Sequence, residues 1–430
     1  MNKRVWGHGW TLVVAGLAMA TLATGAPPAT AATTTGAPAV ASVTPHALFG
    51  SFHGYNAPLY FAVNPYNAIN AWLPSALGGP GGAGSYIWDM QAWQGRRDDV
   101  ISVYSGWNDD PKLFNYALPL IWNTYHAIPS ITWNGEADGS VIAAGGQDFY
   151  ITQWAQKMKE FIFGTVDGQP APPGGRRVFM RWNWEANASW YQHSPAWNNP
   201  DCATLEAREN SFVAGWRYLH DKIMQVAGLT NANMAWIFSV YDQNVGVPAN
   251  CPNNASDIVA KIFPGDAYVD WVGVDGYGFF SSPSPAAELG AMVDKLRTLS
   301  NRPMSINEVS GGTQQATVTE PATGHDVRAT PAQKGQWITD YLAFVKAKDI
   351  RMSVWFNVDI QQQDWAVFSE NGPADPMSRG TCTYTSATSI STTYNTYCEY
   401  KDMVNDPWFI EPDLSNPRLV TDAEFLGTAA

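Results

Sequence analysis

Short apolar runs recur along the chain, and each of them ends in polar or aromatic residues. Runs of this length without internal charges are typical of strands that are buried on both faces of a sheet. The sequence predicts eight such strands, whose apolar runs cover residues 48–52, 100–104, 128–132, 178–180, 234–240, 268–274, 303–307 and 352–356.

Segments with helical periodicity fill several of the intervals between these runs. Apolar residues spaced by three and four predict helices over 148–163 and 212–226, and Ser284-Pro285 and Thr330-Pro331 are typical of helix starts. Alternating strands and helices over this length predict an α/β fold, a single (β/α)8 TIM barrel over residues 44–427. An open doubly wound sheet is the alternative.

The fourth strand ends in a dense group of functional side chains. Strand alternation predicts that Arg181, Asn183 and Glu185 share one face, where the strand emerges at its carboxyl end. A (β/α)8 barrel carries its chemistry at that end of its strands. The alternative is an ordinary strand end with a surface glutamate.

A second glutamate, Glu308, directly follows the seventh apolar run. The fourth and seventh strands of a (β/α)8 barrel face each other across its mouth, so Glu185 and Glu308 are expected to bracket one site. Hydrolysis of a glycosidic bond needs two carboxyl groups in this arrangement, one as the acid and the other as the nucleophile or base. We therefore predict catalysis by Glu185 and Glu308, with no metal ion or cofactor.

Composition narrows the class of partner. The formal net charge of −13 disfavours nucleic-acid binding, which needs a basic surface. The 20 tryptophans suit a cleft in which indole rings stack on sugars, and the alternative is a core that favours tryptophan. We expect a monomer that binds a polysaccharide and has no nucleic-acid or membrane partner.

The N-terminus has the features of a secretory signal. Basic residues precede the apolar run 10–23, and small residues at 29–31 suit cleavage, which predicts a signal peptide over 1–31 and a flexible leader over 32–43. We therefore expect the protein to be secreted and extracellular. Export favours disulfides, and we pair the four cysteines as Cys202–Cys251 and Cys382–Cys398.

The motifs at the strand ends, taken in order, resemble those of glycoside hydrolase family 26. They are Arg181-Trp182-Asn183-Trp184-Glu185-Ala186-Asn187 with Trp190, Trp271-Val272-Gly273-Val274-Asp275-Gly276-Tyr277, Ile306-Asn307-Glu308 and Val354-Trp355-Phe356-Asn357. That family contains β-mannanases and relatives that act on mixed-linkage β-glucan and β-1,3-xylan, and it belongs to a retaining clan of (β/α)8 hydrolases.

This resemblance implies a role for individual residues. Glu185 would be the acid/base and Glu308 the nucleophile, with Tyr277 as its hydrogen-bond donor. Trp190 and Trp355 would be sugar-stacking platforms on the aglycone and glycone sides. The implied activity is that of a secreted retaining endo-β-glycanase that acts first of all on β-1,4-mannan.

The sequence departs from the family pattern beside the acid/base. Family mannanases commonly have histidine immediately before the acid/base, where this chain has Trp184, and a histidine after the third strand, where Trp133 and Asn134 stand. These departures weaken the case for mannan more than the case for hydrolysis. Mixed-linkage β-glucan and β-1,3-xylan are the alternative substrates.

Other candidates and functions stay open. Asp275 and Asp359 end strands and either contact sugar hydroxyls or hydrogen-bond to loops, and His53 is either a glycone contact or a structural residue. A non-catalytic carbohydrate-binding protein is the second function, although such a protein has no use for opposed carboxylates. A serine esterase is excluded because the chain lacks the Gly-x-Ser-x-Gly elbow.

Overall fold

The apolar runs form a closed eight-stranded barrel in a computed structural model of the protein. Every strand pairs in parallel with its neighbours in the chain, and the eighth strand pairs with the first. The (β/α)8 prediction is confirmed. The structure describes residues 47–53, 83–107, 109–135, 137–252, 256–278, 284–311, 313–314, 330–358, 363–370, 379–387 and 393–429.

The barrel strands agree with the predicted runs and extend most of them at the carboxyl end. The sixth strand begins three residues later than predicted, because a 3-10 turn occupies Asp266–Tyr268. The strands are β1 Leu48–Phe52, β2 Val100–Gly106, β3 Ile128–Asn134, β4 Val178–Trp182, β5 Met234–Tyr241, β6 Trp271–Gly278, β7 Met304–Gly311 and β8 Ile350–Phe356.

The long helices also follow the predicted pattern. Shorter helices cover Asp110–Lys112, Gly139–Ala143, Ile258–Ile262 and Asp422–Phe425, with π-helical turns at Leu113–Ala117 and Leu120–Thr124. The longer helices are α1 Ala83–Gln94, α2 Asp148–Phe163, α3 Cys202–Ala227, α4 Pro285–Leu299, α5 Pro331–Ala347 and α6 Cys398–Val404.

Several helix ends could be predicted from the sequence, because the residues that cap a helix lie at or next to its end. The Ser284 hydroxyl accepts from a backbone N–H in the first turn of α4, and Thr330 forms a capping box at the start of α5. Gly228 ends α3 in the left-handed conformation, with a φ of 65°. Helix α1 is not predicted from the sequence, because its glycine and its aromatic residues obscure the helical period.

Most tryptophans build the core, so the expectation of a tryptophan-lined cleft is wrong for the majority. The indole rings fill the space between barrel and helices, as Trp133 does when it stacks on Trp154 of α2 at 4.4 Å. Of the 17 tryptophans in the described part of the chain, fourteen are buried: Trp93, Trp107, Trp122, Trp133, Trp154, Trp182, Trp184, Trp216, Trp236, Trp271, Trp337, Trp355, Trp365 and Trp408.

Both predicted disulfides are present. Cys202 at the start of α3 is bonded to Cys251, and Cys382 is bonded to Cys398 at the start of α6. The second bond closes a small antiparallel sheet of the strands Phe368–Glu370, Thr393–Thr396 and Cys382–Thr385. A two-residue ladder, Thr313–Gln314 with Gln363–Asp364, joins the segments that follow β7 and β8.

Several predictions fall outside the described residues. These are the signal peptide, the leader and Asp359, and most of the loop 309–330 and parts of 359–399 also lie outside the described residues. Within the described part of the chain, none of the helices has both the length and the apolar character needed to cross a membrane.

Candidate active site

The turn that follows β4 carries Glu185 in an unusual backbone conformation. The strand ends at Trp182, and both Asn183 and Glu185 are left-handed, with φ values of 45° and 52°. Strand alternation applies only as far as Trp182. It places Arg181 inside the barrel, but it does not determine the directions of the Asn183 and Glu185 side chains. Left-handed non-glycine residues cost on the order of 1–2 kcal/mol each, so the surrounding structure must hold this turn.

Hydrogen bonds to neighbouring strands hold the turn in place. The backbone N–H of Gly135, just beyond β3, donates to the side-chain oxygen of Asn183 at 2.7 Å. The backbone N–H of Glu185 donates to the carbonyl of Ser239 on β5 at 3.1 Å. Asn183 is buried and its amide oxygen is engaged in this bond, so the side chain orders the turn.

A β-bulge positions the second glutamate. Val274 of β6 is opposite Ile306 of β7, but Asp275 is opposite Glu308, so Asn307 is an extra residue in β7. Bulges beside active sites commonly re-aim a side chain. Here the bulge brings Glu308 beside Asp275.

Three donors converge on the Glu308 carboxylate. The guanidinium of Arg181 and the hydroxyl of Tyr104 both donate to Oε1, and the hydroxyl of Tyr277 donates to Oε2 at 2.5 Å. The hydrogen bond predicted between Tyr277 and Glu308 is therefore present. Donors of this kind, one of them charged, stabilise the ionised carboxylate that a nucleophile requires.

Arg181 joins two acidic residues in the barrel interior. Its Nη1 lies 2.8 Å from both side-chain oxygens of Asp275, and its Nε and Nη2 donate to the hydroxyl of Thr132 at 3.0 and 2.8 Å. Asp275 also accepts from the hydroxyl of Ser239 at 2.8 Å and is fully buried. The side chain of Asp275 therefore bonds to strands β4 and β5 inside the barrel, rather than to a sugar hydroxyl or a loop, the two roles that the sequence left open.

The carboxylates of the site lie close together. One oxygen from each of Glu185, Asp275 and Glu308 lies within 4.8 Å of the other two, and Arg181 supplies the positive charge next to this group. Retaining glycosidases hold their two catalytic carboxyl groups about 5–5.5 Å apart, whereas inverting enzymes need roughly 6.5–9.5 Å to admit water. The closest oxygens of Glu185 and Glu308 lie within 4.8 Å of each other, which agrees with the shorter, retaining separation.

The environment of Glu185 favours its protonated form. Burial raises the pKa of this carboxyl well above its usual range, and the negative charges of Glu308 and Asp275 raise it further. The indole N–H of Trp190, 3.0 Å from Oε2, and the charge of Arg181 lower it. The net effect suits a general acid, which must carry a proton near neutral pH.

Two other predicted site residues have different surroundings. Trp355 is 1% exposed, its indole N–H donates to the carbonyl of Trp365 at 3.3 Å, and its ring packs against Tyr341 and Tyr400. No face of this ring is open to a sugar, so the prediction of a stacking platform is wrong for Trp355. Trp190 is half-buried beside Glu185, and its role as a platform stays a prediction.

His53 is held by the first strand and the segment before β2. Its Nε2 lies 2.6 Å from the hydroxyl of Ser51 and 3.6 Å from Asp98, and the hydroxyl of Ser51 donates to Asp98. Only 6% of His53 is exposed. These contacts favour the structural role over a contact with the sugar.

Three residues that contact the catalytic pair or the turn carrying Glu185 are not predicted from the sequence. Tyr104 lies within β2 near its carboxyl end. The rule that a (β/α)8 barrel carries its chemistry at the carboxyl ends of its strands could therefore have selected it, as it selected Glu185 and Glu308. Ser239 and His193 carry no such signal, because their contacts depend on how β5 and the loop after β4 fold.

Replacement of Arg181 is expected to destabilise the fold. Arg181→Met leaves Asp275 and Glu308 buried without their cation, which should lower the free energy of unfolding by about 3–5 kcal/mol in urea titration. Lys348→Met, which removes a surface ion pair with Asp294, is the control and should cost at most about 1 kcal/mol. Equal stability of the Arg181 variant and the wild type would contradict this view of the site.

No protein-family model matches the chain. Endoglucanase H of Acetivibrio thermocellus is 26% identical over 326 residues, which cover 75% of this chain and 30% of that protein. This similarity confirms the resemblance inferred from the strand motifs. The chain is glycoside hydrolase family 26-like. It spans less than a third of the length of the relative that it matches.

Solved structures with a similar fold include two mannanases. A Bacillus subtilis mannanase aligns with a TM-score of 0.48 at 14% identity over 86% of this chain and 87% of the other. A β-mannanase from a symbiotic protist of the termite Reticulitermes speratus aligns with a TM-score of 0.39 at 13% identity, over 73% and 80% of the two chains.

Proposed function

We propose that the protein is a retaining endo-β-glycanase in which Glu185 is the acid/base and Glu308 the nucleophile. The observation that carries the proposal is the pair itself. The carboxyl of Glu185, whose pKa is raised, and the carboxylate of Glu308, which has three donors, each place one oxygen within 4.8 Å of the other at the carboxyl end of the barrel. A protein that only binds sugars has no need for this pairing.

In the first step, an Oε atom of Glu308 attacks the anomeric carbon and forms a covalent ester with it. The bond between that carbon and the glycosidic oxygen breaks, and the proton of Glu185 passes to the departing oxygen. The negative charge of Glu308 is consumed in the ester. Arg181, Tyr104 and Tyr277 hold the carboxylate in place during the attack.

In the second step, Glu185 acts as a base. Esterification removes the charge of Glu308, which is one cause of the raised pKa of Glu185, so that pKa falls and the carboxylate form is favoured. Glu185 then takes a proton from water, and the hydroxide oxygen attacks the anomeric carbon. The ester bond breaks, Glu308 is regenerated, and two displacements leave the anomeric configuration unchanged.

The proposed substrate is a β-linked polysaccharide, with β-1,4-mannan as the first candidate from the family resemblance. β-Glucan is the second, since the relative with significant sequence similarity is named an endoglucanase. Trp184, and Trp133 with Asn134, stand where family mannanases commonly have histidine, and this departure weighs against the first candidate. Secretion belongs to the proposal as well, and it is supported by the apolar N-terminal segment.

A panel of polysaccharides tests the activity and separates the substrates. Release of reducing sugar would be measured from galactomannan, glucomannan, barley mixed-linkage glucan, β-1,3-xylan and carboxymethylcellulose. Activity on the mannans supports the first candidate, and activity on glucan or xylan alone changes the substrate but keeps the mechanism. If the folded protein releases no reducing sugar from any of the five polymers, the result would favour the hypothesis of a non-catalytic carbohydrate-binding protein.

The pH profile of the enzyme should report the proton on Glu185. Because Glu185 must be protonated in the first step, kcat/KM should fall as pH rises through its raised pKa, well above the ordinary glutamate value of about 4.3. The residual activity of Glu185→Gln on the polymer should lack this basic limb. A basic limb that is unchanged in the variant would assign the proton to another group.

A further inference from the structure

His193 lies in the loop after β4 and contacts two positions that the sequence marked as unusual. Its Nε2 is 2.8 Å from the carbonyl oxygen of Trp184, the residue before Glu185. Its Nδ1 is 3.1 Å from the side-chain oxygen of Asn134, at the end of β3. Trp184 stands where family mannanases commonly have histidine, and Asn134 is one of the two residues, with Trp133, that stand in place of the histidine after the third strand. His193, further along the same loop as Trp184, connects these two positions.

The hydrogen-bond partners fix the tautomer of His193. A carbonyl oxygen only accepts, so Nε2 carries the hydrogen and donates to Trp184. Burial lowers the pKa of His193 to about 4, so the ring is neutral near pH 7 and Nδ1 is an acceptor. The amide of Asn134 must then present its nitrogen to Nδ1, with its oxygen and nitrogen exchanged. His193 is thus a neutral bridge between the segments after β3 and β4.

This bridge completes the support of a strained turn. Asn183 and Glu185 are both left-handed and are each held by a hydrogen bond, from Gly135 and to Ser239 respectively. The residue between them, Trp184, is held through its carbonyl by His193. Three successive residues are therefore fixed by three different elements, and the last of them carries the acid.

Ring contacts extend the support towards the nucleophile. Tyr191 stacks on His193 with centroids 5.0 Å apart and planes 18° from parallel, and the ring of Trp184 lies 5.6 Å from His193. Trp184 meets the ring of Tyr104 edge to face at 5.2 Å, and the hydroxyl of Tyr104 donates to Glu308. His193 thus supports Glu185 through the backbone and is linked to Glu308 through packed rings.

We propose that His193 is a positioning residue, which fixes the backbone of Trp184 so that Glu185 meets the glycosidic oxygen. It touches neither the reacting atoms nor the catalytic carboxylates. The proposal rests on the proposed function, because it assigns His193 a part in proton donation by Glu185. Misplacement of a catalytic group by about 1 Å costs on the order of 100-fold in rate, so one backbone hydrogen bond has a measurable effect.

Three replacements separate the contacts of His193. His193→Gln keeps an N–H donor near the place of Nε2, and His193→Asn keeps a polar group near Nδ1 but does not reach Trp184. His193→Phe keeps a ring that can stack on Tyr191 but has no hydrogen bond. Gln192→Ala, at the exposed neighbouring position, is the matched control.

The readout compares two leaving groups through kcat/KM, which for a retaining enzyme covers steps up to formation of the ester. One substrate is the polymer that the wild type cleaves, which needs a proton from Glu185. The other is the dinitrophenyl glycoside of the same sugar, whose leaving group needs no proton. A residue that positions the acid affects the first substrate far more than the second.

For the Phe and Asn variants we expect kcat/KM on the polymer to fall about 30- to 100-fold, with less than about a threefold loss on the dinitrophenyl glycoside. The Gln variant and the Gln192→Ala control should stay within about fivefold of wild type on both substrates. Equal losses on the two substrates, or a Gln variant no better than the Asn variant, would overturn the proposal.

The design also separates this proposal from the proposed function. A wild-type protein that releases no reducing sugar refutes the function itself. An active wild type whose His193 variants lose both activities alike refutes only the positioning role. Thermal unfolding of each variant shows whether a uniform loss reflects a damaged fold.

Discussion

Glu308→Gln is expected to reduce kcat on the polymer by on the order of 10⁴-fold or more, because the variant cannot form the glycosyl ester. Glutamine matches the shape of glutamate, and its side-chain oxygen can still accept from Tyr277 or Tyr104. Binding of the polysaccharide should therefore persist in affinity electrophoresis. The measurement is the steady-state rate of reducing-sugar release.

A buried glutamate outside the site provides the control. Glu209 on α3 is 1% exposed, so Glu209→Gln makes the same chemical change in a comparably buried place. We expect its activity to stay within about twofold of wild type, since it contacts no group that acts on substrate. Near-normal turnover by Glu308→Gln would refute the assignment of the nucleophile.

Glu185→Gln is expected to show an effect that depends on the leaving group. General acid catalysis contributes about 10²–10⁴-fold, so kcat/KM on the polymer should fall by that factor. The dinitrophenyl glycoside of the same sugar should lose far less, because its leaving group departs as an anion. The measurement is kcat/KM on both substrates with one enzyme preparation.

The same variant should accumulate the ester when the activated substrate is used. Without Glu185 as the base, the second step becomes slow, so a burst of dinitrophenol should precede a low steady rate. Stopped-flow absorbance records that burst. Equal loss on polymer and activated glycoside, without a burst, would show that Glu185 is not the acid/base.

The architecture could be predicted because it depends on local patterns. Buried parallel strands read as uninterrupted apolar runs, and helix ends are marked by single residues such as Gly228, Ser284 and Thr330. The start of β6 was predicted three residues too early. A 3-10 turn at Asp266–Tyr268 precedes the strand, and the sequence does not mark where the turn ends and the strand begins.

Within the site, only the residues that lie at the ends of barrel strands could be predicted from the sequence. Glu185, Glu308 and Arg181 follow from the rule that chemistry lies at the carboxyl ends of strands, whereas the role of Tyr277 was implied by the family resemblance. The left-handed turn that carries Glu185 is not encoded by strand alternation, since it depends on bonds from β3 and β5. The bulge at Asn307 is likewise a property of how three strands pair.

Trp355 shows why a resemblance does not replace geometry. The motif of β8 suggested a sugar platform, but the side chain points into the layer between barrel and helices. There it packs against Trp337 and Tyr341 of α5 and Tyr400 of α6. The face on which an aromatic residue lies depends on strand register, and a one-residue difference moves it from the mouth of a barrel into its core.

The stereochemistry of hydrolysis tests the central claim most directly. Proton NMR of a digest of a β-linked oligosaccharide, recorded in the first minutes before mutarotation, identifies the anomer that the enzyme releases. The close approach of Glu185 and Glu308 predicts retention, so β reducing ends should appear first. Initial release of α reducing ends would mean inversion and would contradict Glu308 as a nucleophile.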